Sequence, residues 1–81
     1  MLKALHKLKI ISGEKCIAIL CKQFGFRVVR QKGSHIILRK ETESGSIGTV
    51  VPNHYELKIG TLKGILELAK VSEDEFSKYL S

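Results

Sequence analysis

Three segments rich in β-branched and aromatic residues, FRVVRQ (26–31), SHIILRK (34–40) and IGTVV (47–51), follow one another with only short polar stretches between them. Such residues fit the pleated, half-buried surface of a strand. Connections this short close hairpins, whereas a parallel pair needs a crossover of roughly a dozen residues or more. The stretch is therefore expected to form a three-stranded antiparallel meander. Lys32-Gly33 is the expected two-residue turn. Glu41-Thr42-Glu43-Ser44-Gly45 is an acidic, glycine-ended loop, and Pro52 ends the third strand.

Helical patterns flank the meander. Ser12 is placed to cap a helix, with Glu14 in a first turn that favours an acid. Cys16, Ile17, Leu20 and Phe24 then recur at helical spacing, and Gly25 suits the position just past the end. This predicts a helix over residues 13–24. Ile59, Leu62, Ile65, Leu66 and Ala69 mark a second helix starting near Gly60 or Thr61. Ser72 and Glu75 form a capping box that starts a short third helix carrying Phe76, Tyr79 and Leu80. The expected order is α-β-β-β-α-α, an α+β sandwich with the helices on one face of the sheet and a short extra C-terminal helix. At 81 residues the chain is expected to be one domain over 1–81. Residues 1–11 form a lead-in, helical over Leu2–Leu8, and residues 72–81 a C-terminal extension.

The expected turn sets a register. It pairs Gln31 with Ser34 and Arg30 with His35, and directly paired residues share a face. Arg39 falls further along that face, and Lys32 stands at the tip. Both faces carry apolar residues, so which one the helices cover stays open.

Charge narrows the partner. The formal net charge is +6, unevenly spread: residues 1–40 hold ten Lys and Arg and one acid, giving +9, while residues 41–81 hold four Lys and seven acids, giving −3. Such asymmetry suggests a polyanion for the first half, against the plainer reading of a solvated basic face. Cys16 and Cys21 show no metal-ligand spacing and read as small apolar residues in a reducing cytoplasm. No stretch reaches transmembrane length, and the lead-in lacks the continuous apolar run of a secretory signal. A zinc site assembled from His6, His35, His54 and the cysteines has no spacing to support it, and no cofactor motif is present.

The run GFRVVRQKGSH, then TVVPNH, then ELKIGTLKGIL, resembles the HicA toxin family, also described as YcfA-like messenger-RNA interferases. The resemblance covers about residues 8–71 and rests on the joint order and spacing of the three pieces. It implies a fold similar to a double-stranded-RNA-binding domain. It also implies RNA cleavage without the ribosome and inhibition by a HicB-type antitoxin from the same operon. The family's key residue, the first histidine after the Gly-Ser pair, corresponds to His35. The chain departs from the family pattern in three places. Ile36 stands where many members have a second histidine. Gly64 lies inside the second helix where a polar or bulkier helix former is expected; it costs about 1 kcal/mol against Ala and leaves room for close packing. Lys70-Val71 replaces a more usual glycine followed by an apolar residue.

The chemistry the resemblance implies suits these residue types. Metal-free RNA cleavage uses the neighbouring 2′-OH as nucleophile, with proton transfers and cations to stabilise charge on phosphorus. An imidazole exchanges protons near neutral pH, so His35 is the candidate catalytic residue. Arg30, Lys32 and Arg39 are candidate phosphate clamps, Ser34 a hydrogen-bond donor, and Gly33 a site of close backbone approach. His54, in the VPxH piece, is a second RNA-contact candidate, its plainer reading being a loop histidine bonded to backbone. Lys15 and Lys22 read as solvated, and Tyr55 and Tyr79 as packing residues, because no aromatic-basic interleaving surrounds them. The expected partners are messenger RNA and the antitoxin, with the free chain a monomer or small oligomer. The alternative is a non-catalytic RNA-binding module of the same shape, though only Lys58 and Lys63 stand near the start of its last long helix.

Overall fold

The computed structural model of the chain describes residues 7–80. Its elements are α1 (Gly13–Phe24), β1 (Arg27–Lys32), β2 (His35–Thr42), β3 (Gly45–Pro52), α2 (Ile59–Ala69) and α3 (Glu73–Ser77). The order and the antiparallel sheet β1-β2-β3 agree with the sequence reading. The lead-in helix expected over Leu2–Leu8 falls mostly outside the described residues, as does His6, and Lys7 and Leu8 are not helical.

Local chemistry explains the helix ends. The Ser12 side chain accepts from the Lys15 N–H at 3.0 Å, and Gly25 takes the left-handed conformation at φ 79° that closes α1. Ser72 accepts likewise from Glu75 N–H at 3.0 Å and starts α3. Burial sorts the sheet faces. Ile36, Leu38, Thr49 and Val51 alternate inward under the helices, and their neighbours His35, Arg39, Gly48 and Val50 stay exposed. The helices thus cover the Ile36/Leu38 face. There Leu20, Leu38, Leu57, Leu62, Leu66 and Phe76 are fully buried, each adding roughly 1.5–3 kcal/mol relative to exposure. The buried Thr49 hydroxyl donates to the Ile65 carbonyl at 2.8 Å and ties α2 to β3. Phe24 stacks on Phe76 at 6.3 Å and meets the edge of Tyr79 at 5.8 Å, which holds α3 against α1. Cys16 lies in this core, and burial pushes its thiol up to about 12.

The first hairpin differs from the sequence expectation. Lys32 pairs with His35, so the turn residues are Gly33 and Ser34, not Lys32 and Gly33. A turn on Lys32-Gly33 of the favoured kind asks for positive φ at Lys32, whereas Gly-Ser needs it only at the glycine. Gly33 sits at φ 60°, and Ser34 is not among the positive-φ residues. Arg30 accordingly faces Ile37 rather than His35, and Gln31 faces Ile36 rather than Ser34. A second irregularity lies between Val28 and Arg30, where Val29 is an extra, bulged residue. The second hairpin is tighter than expected: Thr42 pairs with Gly45, leaving only Glu43 and Ser44 in the turn.

Two glycines behave oppositely. At Gly13 a Cβ would run into the backbone of Pro52 and Asn53, so α1 approaches the end of β3 more closely than any side chain allows. At Gly64 a Cβ would meet nothing within 4 Å among the described residues, so no close packing uses the room this glycine leaves. Gly64→Ala is therefore expected to stabilise the fold by about 0.5–1 kcal/mol, and Gly13→Ala to destabilise it by about 1–3 kcal/mol, both read from urea unfolding. At the end of α2, Lys70 adopts φ 58° while its N–H bonds the Glu67 carbonyl at 3.2 Å and the Val71 N–H bonds Leu66 at 3.0 Å. A side chain in that conformation is strained by roughly 1 kcal/mol, so Lys70→Gly should raise the thermal midpoint; a fall would show that the Lys70 side chain stabilises the helix end.

Candidate functional site

The exposed face of the sheet collects the residues singled out in the sequence. His35 and Lys32 share a rung of the β1–β2 ladder, Arg30 lies beside Ile37 on the next outward rung, and Arg39 lies beside Arg27 on the one after. The Val29 bulge matters here. Arg27 and Arg30 are three apart and would point to opposite faces of a regular strand. The extra residue rephases the strand so that both fall on the His35 face. Arg27, which the sequence did not single out, thus joins the basic face. It reaches Glu41 at 3.7 Å across an exposed pair of small energetic weight, whereas Arg30, Lys32 and Arg39 have no ion-pair partner among the described residues. Lys40 points the other way, with its ammonium 5.6 Å from the centre of the Phe26 ring.

The far edge of His35 is built by the segment after β3. Pro52 pairs with His35 across the β2–β3 ladder. The Asn53 N–H donates to the Ser34 carbonyl at 2.6 Å, which fastens this segment to the hairpin turn. The Gly13 N–H donates to the His54 carbonyl at 2.8 Å, and the Leu57 N–H to the Ile11 carbonyl at 2.7 Å. The VPNH piece and the Gly-Ser turn are therefore one structural unit. His54 is exposed on it, its backbone bonded to α1 and its side chain without a hydrogen bond among the described residues.

Beside His54 an open cleft of about 590 Å³ is lined by Ser12, Glu14, Asn53, His54 and Tyr55. Tyr55 is 97 % exposed, so its reading as a packing residue is corrected; Tyr79, in contact with Phe24, does pack. Nothing in the local spacing marked Tyr55, since its prominence comes from the anchoring of the residues on either side. No group of three or more metal-ligating side chains occurs among the described residues. No helix among the described residues is long and apolar enough to cross a membrane.

The face as built can hold anions and exchange protons. Exposed cations crowd around one exposed imidazole, on a surface where Ile37 and Val50 supply apolar contact. Residues 13–71 match the family model for the HicA toxin of bacterial toxin-antitoxin systems. That span covers most of the chain and includes the turn, the basic face and the VPNH segment. The chain belongs to this HicA toxin family. No curated protein and no solved structure matches it.

The turn supplies a test of the site's geometry. Gly33 has open space around it but a left-handed φ of 60°. Gly33→Ala is expected to cost about 1–2 kcal/mol through backbone strain alone, and Gly33→Asn less, because Asn tolerates that conformation. Equal losses in denaturant unfolding would place the cause in packing instead.

Proposed function

We propose that this toxin is an endoribonuclease that cuts messenger RNA in the cytoplasm, with His35 as the proton-transfer group. The observation that carries the reading is the position of His35. It is exposed on the open sheet face, on the same rung as Lys32, with Arg30 and Arg39 on the same face. In the reaction the 2′-oxygen attacks the adjacent phosphorus and loses its proton. The P–O bond to the 5′-oxygen of the next nucleotide breaks, that oxygen takes a proton, and a 2′,3′-cyclic phosphate remains. His35 supplies one of these two transfers and water the other. A single imidazole then contributes roughly 10²–10⁴-fold. Arg30, Lys32 and Arg39 bind phosphate oxygens, with the arginines able to do so through two parallel N–H bonds. Ser34 and the backbone at Gly33 contact the strand at the turn, and His54 contacts it from the segment beyond Pro52.

A HicB-type antitoxin is proposed to neutralise the toxin by laying acidic residues over this same face. That arrangement would exclude RNA directly. The position of the cations also weighs against the plain double-stranded-RNA-binding reading. Lys58 and Lys63 are exposed near the start of α2, but the larger cluster lies on the opposite, open face of the sheet.

The test is incubation of the purified protein with a messenger RNA transcript in EDTA beside His35→Ala. The wild type is expected to cut and the variant to lose at least roughly 100-fold in rate while keeping its unfolding midpoint. Cleavage by both proteins would remove His35 from the chemistry. Binding without cleavage by either would favour a non-catalytic RNA-binding module.

A further inference from the structure

We propose that Tyr55 is the stacking platform of a nucleobase subsite on the segment fastened to the His35 hairpin, with Glu14 reading the edge of the stacked base. The proposal rests on the RNA reading above and adds a part of the site that it did not include.

Three observations converge on it. First, Tyr55 leaves 97 % of its surface in water, while Leu57, two residues on, is fully buried. The backbone is fastened on both sides of the tyrosine, by His54 to Gly13 at 2.8 Å and by Leu57 to Ile11 at 2.7 Å. An aromatic ring that packs on nothing is thus held out from a doubly anchored backbone. Little backbone ordering remains to oppose the binding of a flat partner. Second, the ring borders a cleft whose other walls are polar: Ser12, Glu14, Asn53 and His54. Third, the segment that carries the cleft is fastened by its backbone to the hairpin that carries His35. Pro52 faces His35 across the ladder, and Asn53 is bonded to the turn residue Ser34 at 2.6 Å.

Charge decides which part of a nucleotide the cleft takes. The phosphates belong over Arg30, Lys32 and Arg39, because the Glu14 carboxylate in the cleft repels them. A carboxylate accepts hydrogen bonds only. It therefore favours a base that presents N–H donors, and guanine offers two adjacent ones on its Watson–Crick edge. Uracil presents a single ring N–H between two carbonyl oxygens that a carboxylate repels. Unpaired bases stack readily on exposed aromatic rings, so the subsite suits single-stranded RNA.

The experiment uses short 2′-O-methyl oligoribonucleotides, which lack the attacking hydroxyl and stay intact. Affinity for oligo-G and oligo-U is measured by fluorescence anisotropy for the wild type, Tyr55→Ala, Tyr55→Phe and Glu14→Gln. Tyr55→Ala is expected to weaken binding roughly 5- to 100-fold with its dependence on salt unchanged, because no phosphate contact is lost. Tyr55→Phe should bind like the wild type, and Glu14→Gln should narrow the preference for G over U. Since the ring packs on nothing, none of the Tyr55 variants should shift the unfolding midpoint. Equal affinity of Tyr55→Ala and wild type overturns the subsite, as does failure of the wild type to bind either oligomer. The EDTA cleavage assay separates the two readings. Cleavage by the wild type with no effect of Tyr55→Ala on binding removes the subsite and leaves the nuclease. Weakened binding by Tyr55→Ala without any cleavage keeps the subsite and removes the nuclease.

Discussion

The organisation of the candidate site depends on one fastening: the segment after β3 is hydrogen-bonded at once to the Gly33-Ser34 turn and to the start of α1. The Asn53 N–H bonds the Ser34 carbonyl, and the Gly13 N–H bonds the His54 carbonyl. Both bonds satisfy backbone groups that would otherwise need water at the rim of the sheet. The absence of a side chain at Gly13 is what allows α1 to come close enough. Through this junction three distant stretches of chain, the turn near residue 34, the loop near residue 54 and the helix start near residue 13, form a common edge. His35 begins the strand that leaves that turn, and Tyr55 follows the loop histidine.

The division of labour between the two sheet faces follows from burial. The inward face carries Ile36, Leu38, Thr49 and Val51 and is closed by the helices. The outward face holds His35 in the open and leaves the arginine charges in water. The Val29 bulge adds to this. It interrupts the ladder by one residue and in return places Arg27 and Arg30 on the same side. The chain belongs to the HicA toxin family, and the chemistry proposed for it concentrates in the few residues around the turn.

Much of the architecture was legible without coordinates, and the reasons are local. α1 runs over Gly13–Phe24 as expected because its two ends carry their own signals, a serine cap and a glycine in the left-handed conformation. α3 was legible for the same reason, through Ser72 and Glu75. The strands were found to within a residue or two, since β-branched runs between turns admit few other readings. The hairpin register was not, because a glycine between a lysine and a serine can occupy either central position of a two-residue turn. Only the φ cost of the neighbouring residue decides between them. The bulge at Val29 left no mark in the sequence, as both Val28 and Val29 are ordinary strand residues.

What the sequence determined by itself was the set of elements, their order, the antiparallel meander and the concentration of positive charge near one histidine. These follow from short-range periodicity, capping and connection length. Only the tertiary structure decided which sheet face stays open, that Arg27 joins it, and that Gly64 packs against no part of the described chain. It alone decided that Tyr55 stands in water on the segment after β3. Each of these depends on contacts between residues far apart in sequence, and such contacts are set by how the helices settle on the sheet rather than by any residue's own preference.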